Sequence, residues 1–77
     1  MWIGYEAGMP TAIVLANGKE TQVVVPCKLD KFLEQQGLLP KSVVVELNEI
    51  AVAPSEFSEK EVTDGDRLEI VRIVAGG

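Results

Sequence analysis

The alternation of apolar and polar positions predicts short strands in the first third of the chain. Residues 12–15 and 21–25 are rich in β-branched side chains, and Asn17 and Gly18 lie between them. An Asn-Gly pair favours a tight hairpin, because a type I′ turn needs positive φ at both of its central residues. The pattern therefore predicts a β-hairpin over residues 11–25.

The spacing of the apolar residues then changes to that of a helix. Leu29, Phe32 and Leu33 stand at positions i, i+3 and i+4, so they share one face of a helix. Gly37 follows at a position suited to the C-terminal end of a helix. These positions predict one helix over residues 28–36, with its apolar face in the core.

The second half of the chain predicts three more strands. Residues 42–47 are densely apolar, which indicates a strand in a central position of a sheet. A turn at Asn48-Glu49 leads into a short strand over residues 50–53. Residues 68–73 alternate and are rich in β-branched side chains, which is typical of a strand.

The segment between these strands is polar. Residues 54–62 predict a loop or a single helical turn, in which Phe57 and Val62 are the expected core anchors. Asp64-Gly65 then predicts a tight turn, because both residue types tolerate positive φ. This turn leads directly into the last strand.

The order of the elements indicates an α+β fold of the β-grasp type. A hairpin, one helix and a later set of strands suit a mixed sheet of about five strands with one main helix across one face. The first and last strands then meet in mid-sheet. We expect an irregular N-terminal extension over residues 1–10, a domain over 11–73 and a flexible Gly-Gly tail over 74–77. The predicted core residues are Ile13, Leu15, Leu29, Phe32, Leu33, Val43, Val45, Leu68 and Ile70.

Composition narrows the classes of partner. The net charge of −5 argues against nucleic acid, which requires patches of Lys and Arg. No apolar run approaches the roughly 20 residues that span a bilayer, so we expect no membrane partner. A single cysteine excludes an internal disulfide framework, and with no signal peptide this fits a cytoplasmic protein.

Few residues are suited to catalysis. The chain has no histidine and one cysteine, which excludes a Ser-His pair, a Cys-His pair and a cysteine zinc cluster. Asp64 and Asp66 flank a turn glycine. A turn cap and a solvated side chain are the preferred interpretations over an acid/base pair or a cation site. Cys27 precedes the helix, where a reactive thiol competes with the preferred role of a small, partly buried residue. We therefore expect no enzyme, no bound cofactor and no metal site.

The C-terminal segment carries the main functional signal. Gly76 and Gly77 follow the last strand and have no Cβ, so they predict a thin thread ending in a free α-carboxylate. The four residues beyond Ile73 reach about 13 Å when extended. We expect Val74, Ala75 and Gly76 to enter a partner's active-site channel and Gly77 to be chemically modified.

The run from Asp64 to Val71, followed by terminal Gly76-Gly77, closely resembles the thiamine-biosynthesis sulfur carriers of the ThiS family, which are ubiquitin-like proteins. The resemblance covers roughly residues 12–77. This chain departs from the family in its ten extra N-terminal residues, in Glu49 after Asn48 and in Ala75 before the glycine pair, where glycines are usual.

The resemblance implies a cytoplasmic sulfur carrier that is a co-substrate of partner enzymes. An adenylating, ubiquitin-activating-like enzyme of the ThiF type would use ATP and Mg to adenylate the Gly77 carboxylate. A sulfur donor would then convert it to a thiocarboxylate. A thiazole synthase of the ThiG type would accept the sulfur for the thiazole of thiamine.

Three alternatives stay open at this stage. The small subunit of molybdopterin synthase (MoaD) also ends in Gly-Gly, but it typically carries prolines before the tail, and residues 73–75 contain none. A sulfur carrier for tRNA thiolation or a ubiquitin-like modifier is the second alternative. A non-covalent β-grasp adaptor with an incidental Gly-Gly end is the third.

The last strand also predicts a docking surface. Leu68 and Ile70 share one face of the strand, and Val71 and Ile73 share the other. A single helix covers one face of the sheet and leaves the second partly bare, and exposed apolar area beside a functional tail favours partner binding. We expect Val71, Ile73 and Arg72 to form this surface. The alternative is that residues 1–10 cover it.

Overall fold

The computed structural model describes residues 8–74 of the chain. A five-stranded mixed sheet has the strand order β2-β1-β7-β4-β5, and a separate two-stranded sheet joins β3 to β6. The strands are β1 (Thr11–Ala16), β2 (Lys19–Val24), β3 (Cys27–Lys28), β4 (Val43–Leu47), β5 (Ile50–Val52), β6 (Glu61–Val62) and β7 (Arg67–Arg72). The helix α1 spans Leu29–Gln35, and short 3-10 helices span Pro40–Ser42 and Pro54–Glu56. This arrangement confirms the predicted α+β, β-grasp fold.

The first hairpin forms as predicted. β1 and β2 pair antiparallel up to Ala16 opposite Lys19, so Asn17 and Gly18 are the two turn residues. Their φ angles are 52° and 81°, as a type I′ turn requires. The second hairpin joins β4 and β5 through Asn48 and Glu49 in the same way, with φ angles of 53° and 72°.

The first and last strands meet in the middle of the sheet, as predicted. β7 runs parallel to β1, with Leu15 opposite Arg67 and Ala16 opposite Leu68. On its other edge β7 runs antiparallel to β4, from Leu47 opposite Leu68 to Val43 opposite Arg72. β7 is therefore paired on both edges where it begins, and it extends past the end of β1.

The helix packs across one face of this sheet. Leu29, Phe32 and Leu33 are all fully buried, which confirms the predicted apolar face. The helix ends before Gly37, whose φ of 78° is the left-handed conformation common after a helix C-terminus. Within residues 8–74, no helix has the length and hydrophobicity needed to cross a bilayer.

The predicted core is correct for six of its nine members, and the face assigned to β1 is wrong. Six of its members are buried, namely Leu29, Phe32, Leu33, Val43, Val45 and Leu68. Ile70 is half-buried and packs against this core. Ile13 is wrong, because its side chain is 43% exposed, and the half-buried Leu15 shares its face of β1. Alternate side chains of a strand point to opposite faces, and in β1 it is Ala12 and Val14 that point to the helix.

The polar segment after β5 also differs in part from the prediction. Phe57 and Val62 are buried and anchor it to the core, as predicted. Residues 61–62 additionally form β6, which pairs with β3 through Cys27 opposite Val62. A strand of two residues is too short to show an alternation of apolar and polar side chains, so the sequence does not predict β6.

Candidate functional site

The base of the tail leaves the sheet along β7. The last hydrogen bond of this strand to its neighbour is donated by the Ile73 N–H to the Ser42 carbonyl at 2.7 Å. Val74 follows with 85% of its surface exposed. Ala75, Gly76 and Gly77, the predicted insertion and modification residues, lie outside the described residues. The chain is thus held to the sheet up to Ile73.

On the other edge of β7, the Asn17 side chain continues the pairing after β1 has ended. Its Nδ2 donates to the Ile70 carbonyl at 3.1 Å, and its Oδ1 accepts from the Ile70 N–H at 2.7 Å. The Asn17 backbone N–H donates to the Leu68 carbonyl at 2.8 Å. One turn residue therefore holds two positions of β7, whereas the local sequence around Asn17 predicts only a turn.

Asn48 makes a similar set of bonds at the start of β7. Its Oδ1 accepts from the Arg67 N–H at 2.9 Å, and its Nδ2 donates to Asp66 Oδ1 at 3.0 Å. The Asn48 backbone N–H donates to the Arg67 carbonyl at 2.8 Å. Both hairpin turns thus use an asparagine to fix β7, one near each end.

The turn before β7 is structural. Asp66 is buried, and its Oδ2 accepts hydrogen bonds from the Thr63 N–H at 2.7 Å and the Thr63 hydroxyl at 3.1 Å. Asp64 Oδ1 accepts from the Ile13 N–H at 2.8 Å. These partners favour the interpretation of Asp66 as a turn cap, whereas the Asp64 carboxylate joins the turn to β1. Within residues 8–74, no group of three or more His, Cys, Asp and Glu side chains is arranged to hold a metal ion.

The sheet face opposite the helix, called the outer face here, carries an apolar patch beside the tail. Val71 and Ile73 are 63% and 55% exposed on this face, and Val44, also exposed, stands directly opposite Val71 on β4. We call Val44, Val71 and Ile73 the outer patch. Arg72 alternates with Val71 and stands opposite the buried Val43, so its side chain projects on the helix side.

Two carboxylates flank the outer patch. Glu46 and Glu69 stand directly opposite each other on β4 and β7, one row further from the tail than Val44 and Val71. Like charges in directly opposed positions of neighbouring strands destabilise a sheet. The ion pairs among the described residues lie elsewhere, at Lys28–Glu61 and Lys31–Glu34.

A groove lies on the helix side of the tail base. It has a volume of about 300 Å³ and combines the segment after α1 with the end of β7; its lining residues are Gly37, Leu38, Leu39, Ser42, Val43, Arg72 and Ile73. A second, more apolar cleft of about 360 Å³ lies near the start of β1 and the end of β6. Because β1 and β7 run parallel, this second cleft is at the pole of the domain remote from the tail.

Cys27 is buried in β3 rather than displayed at the helix N-terminus. Burial raises the pKa of its thiol above the ordinary value, and the negative charge of Asp30 raises this pKa further. The thiolate is the reactive form of cysteine, so both effects reduce its reactivity at neutral pH. The structure favours the role of a small buried residue.

We expect the Cys27 thiol to react slowly with iodoacetamide in the folded protein. Because the pKa is raised, the thiolate fraction is small at pH 7 and the rate should increase only as the pH rises into the alkaline range. Alkylation followed by mass spectrometry across this pH range measures the rate, and the urea-unfolded protein is the control. A rate at pH 7 above that of the unfolded chain would contradict the assignment.

Comparisons with known proteins agree with this geometry. The model of the ThiS family matches residues 13–77. A thiazole synthase from Paramagnetospirillum magneticum is 33% identical over 64 residues, which are 83% of this chain and 20% of that protein. The chain therefore spans about one fifth of the length of this relative.

Solved structures with similar folds include a ThiS protein and a ubiquitin-based design. The thiamine biosynthesis protein ThiS from Geobacter metallireducens has a TM-score of 0.73 at 26% identity, over 84% of this chain and 99% of that one. A computationally designed protein based on human erythrocytic ubiquitin has a TM-score of 0.50 at 20% identity, over 90% and 98% of the two chains, and this likeness concerns the fold alone. Because the family match covers residues 13–77, which is well over half of the chain, the chain belongs to the ThiS family.

Proposed function

We propose that this protein is a sulfur carrier for the thiazole of thiamine and that the Gly77 carboxylate carries the sulfur. The observation that carries the proposal is the family match over residues 13–77, which includes the Gly-Gly end. The likeness to the ThiS protein of Geobacter metallireducens supports it, and the sequence relation to a thiazole synthase points to the thiazole as the destination. The protein would act in the cytoplasm.

The chemistry requires activation of a poor electrophile. An adenylating partner of the ThiF type, using ATP and Mg, would join the Gly77 carboxylate to AMP and release pyrophosphate. Sulfide or a persulfide sulfur would then attack the acyl carbon, form the C–S bond and displace AMP. Where a persulfide attacks, the product is an acyl disulfide, and a thiol reductant would cleave its S–S bond and become oxidised to a disulfide. The chain would then end in a thiocarboxylate, whose sulfur is the nucleophile passed to a thiazole synthase of the ThiG type.

The described residues support a presenting role rather than a catalytic one. β7 is paired on both edges at its start and remains bonded to Ser42 at Ile73, so the sheet holds the base of the tail in place. The chain has no histidine, and its only cysteine is buried. The general acids, the metal and the nucleotide site are therefore assigned to the partner enzymes.

The outer patch is the proposed docking surface for the adenylating enzyme. Val71 and Ile73 adjoin the tail, so a partner that encloses the tail also meets this patch. Glu46 and Glu69 favour a partner with basic side chains around its apolar contact, because a cation between them relieves their repulsion. Arg72, on the helix side, would contact the partner from the opposite side of the tail.

We expect Val71→Glu to weaken binding to the adenylating enzyme by about 2 kcal/mol or more, since it places a third carboxylate beside Glu46 and Glu69 and removes apolar contact. Ile50→Glu is the matched control, because Ile50 is 70% exposed at the far edge of the sheet. Calorimetric titration measures both dissociation constants, and thermal melts check the folds. Equal effects of the two substitutions would show that the outer patch is not the docking surface.

The proposed function is tested by incubating the protein with a ThiF-type enzyme, ATP, Mg and a sulfur source. Mass spectrometry should detect the exchange of one oxygen for sulfur, and fragmentation should locate it at Gly77. Omission of ATP is the control, because the acyl-adenylate cannot form without it. A protein that binds the enzyme but never gains sulfur would instead support the adaptor alternative.

A further inference from the structure

We propose that Asn17 is a positioning residue that sets the direction in which β7 presents the tail. The proposal rests on the proposed function of the tail, but it concerns a residue of the first hairpin. The two hydrogen bonds between the Asn17 amide and the Ile70 backbone carry it. They join residues 53 positions apart in the chain, at 3.1 and 2.7 Å.

The position of Asn17 makes it the last support on one edge of β7. β1 ends at Ala16, where the hairpin turns away, and its pairing with β7 ends at Leu68. Backbone groups on one edge of a strand recur every second residue, so the next position on this edge after Leu68 is Ile70. The Asn17 side chain bonds both the N–H and the carbonyl of Ile70, as a neighbouring strand would.

Beyond Ile70, the described structure holds the chain on the opposite edge alone. There β4 pairs with Val71 and Arg72, and the Ser42 carbonyl accepts a hydrogen bond from the Ile73 N–H. Ile70 on one edge and Ile73 on the other are therefore the last supported residues before Val74 leaves the sheet. Without the Asn17 side chain, the last support on its edge moves back from Ile70 to Leu68. Two residues of strand extend over about 7 Å, so over this length the base of the tail would be held from the β4 side alone and its direction would change.

The chain contains its own control in Asn48. Both asparagines occupy the first position of a two-residue turn, with φ angles of 52° and 53°, and each side chain makes two hydrogen bonds. Asn48 acts at Arg67 and Asp66, the end of β7 remote from the tail. Glycine tolerates positive φ, so Asn17→Gly and Asn48→Gly each remove two side-chain hydrogen bonds and keep the turn.

The control variant, Asn48→Gly, is expected to lose at least as much stability as Asn17→Gly. The reason is that Asn48→Gly removes the hydrogen bond to the buried Asp66 carboxylate and leaves that acceptor without this partner. If loss of stability alone reduced sulfur loading, Asn48→Gly would be the more defective variant. A selective defect of Asn17→Gly therefore reports on the direction of the tail.

The first measurement needs no partner. Residual dipolar couplings of the amides of residues 71–73 are recorded for the free wild-type protein and both glycine variants. We expect the couplings to change in Asn17→Gly and to match wild type in Asn48→Gly. Unchanged couplings in Asn17→Gly would overturn the proposal, whatever the carrier's activity.

The second measurement is the rate of Gly77 adenylation by a ThiF-type enzyme, followed as pyrophosphate release. We expect kcat to fall about tenfold in Asn17→Gly, because misplacement of a reacting group by an ångström or more slows a reaction strongly. KM for the carrier should change less than kcat, since all the apolar side chains of the outer patch are retained. Asn48→Gly should retain kcat within about twofold.

The outcomes separate the two proposals. Equal loss of kcat in both variants, or full kcat in Asn17→Gly, would overturn the role of Asn17 while the sulfur-carrier function stands. Absence of adenylation in the wild-type protein would overturn the carrier function, and the dipolar couplings would still decide whether Asn17 directs the tail. Asn17→Asp, which keeps the acceptor for the Ile70 N–H and loses the donor, should give an intermediate kcat.

Discussion

Deletion of Gly77 should abolish adenylation and sulfur loading while leaving the fold intact. The reacting carboxylate would then belong to Gly76, one residue short of the partner's nucleotide, a displacement of about 3.5 Å. Every buried hydrophobic residue of the described core lies between Ala12 and Leu68, so the deletion removes none of them. Intact-mass spectrometry after incubation with enzyme, ATP and a sulfur source measures the loss, and a thermal melt checks the fold.

Gly76→Val should have the same effect for a different reason. It keeps the length of the tail but adds a β-branched side chain where the backbone is proposed to approach the nucleotide. Ala75→Gly is the matched control, because it changes the tail without adding atoms, and it should load sulfur normally. Normal loading of Gly76→Val would show that the channel does not require a bare backbone at that position.

Cys27→Ser tests where the sulfur resides. We expect it to load sulfur as the wild type does, because the thiol is buried and its pKa is raised. If Cys27→Ser failed to load sulfur while the Gly77 deletion still loaded it, the carrier would be a cysteine persulfide protein. The proposed chemistry at Gly77 would then be wrong.

The sequence predicted those features whose signals are local. The Asn17-Gly18 turn was predictable because few residues other than Asn and Gly adopt two successive positive φ angles. The helix was predictable because its apolar residues repeat at a helical spacing and are separated by charged side chains. The two faces of β7 were also predictable, because the polar residues Glu69 and Arg72 interrupt its apolar residues and show which side chains alternate.

Three features were not predictable for identifiable physical reasons. Residues 12–15 are all apolar, so alternation does not indicate which of Ile13 and Val14 points to the helix. β3 and β6 contain two residues each, too few to show any period. The bonds between Asn17 and Ile70 span 53 positions, and a turn asparagine gives no local sign of a distant partner.

The second large effect is expected on stability, from Phe32→Ala. Phe32 is fully buried at the centre of the helix face, and its removal should lower the free energy of unfolding by about 3–5 kcal/mol. A domain of this size has a total stability of about 4–12 kcal/mol, so the loss is a large share of it. Urea unfolding followed by circular dichroism measures the change, with Phe32→Leu as a smaller step in the same site.

Ile13→Ala is the control that distinguishes the structure from the sequence-based core. The alternation in β1 places Ile13 on the outer face with 43% of its surface exposed. Its truncation should therefore lower the free energy of unfolding by only about 1 kcal/mol. Val14, the next residue, is fully buried. Val14→Ala removes fewer atoms than Ile13→Ala but should lower the free energy of unfolding by more. A larger loss for Ile13→Ala than for Val14→Ala would mean that β1 presents the opposite face to the helix, because a shift of one residue exchanges the two faces.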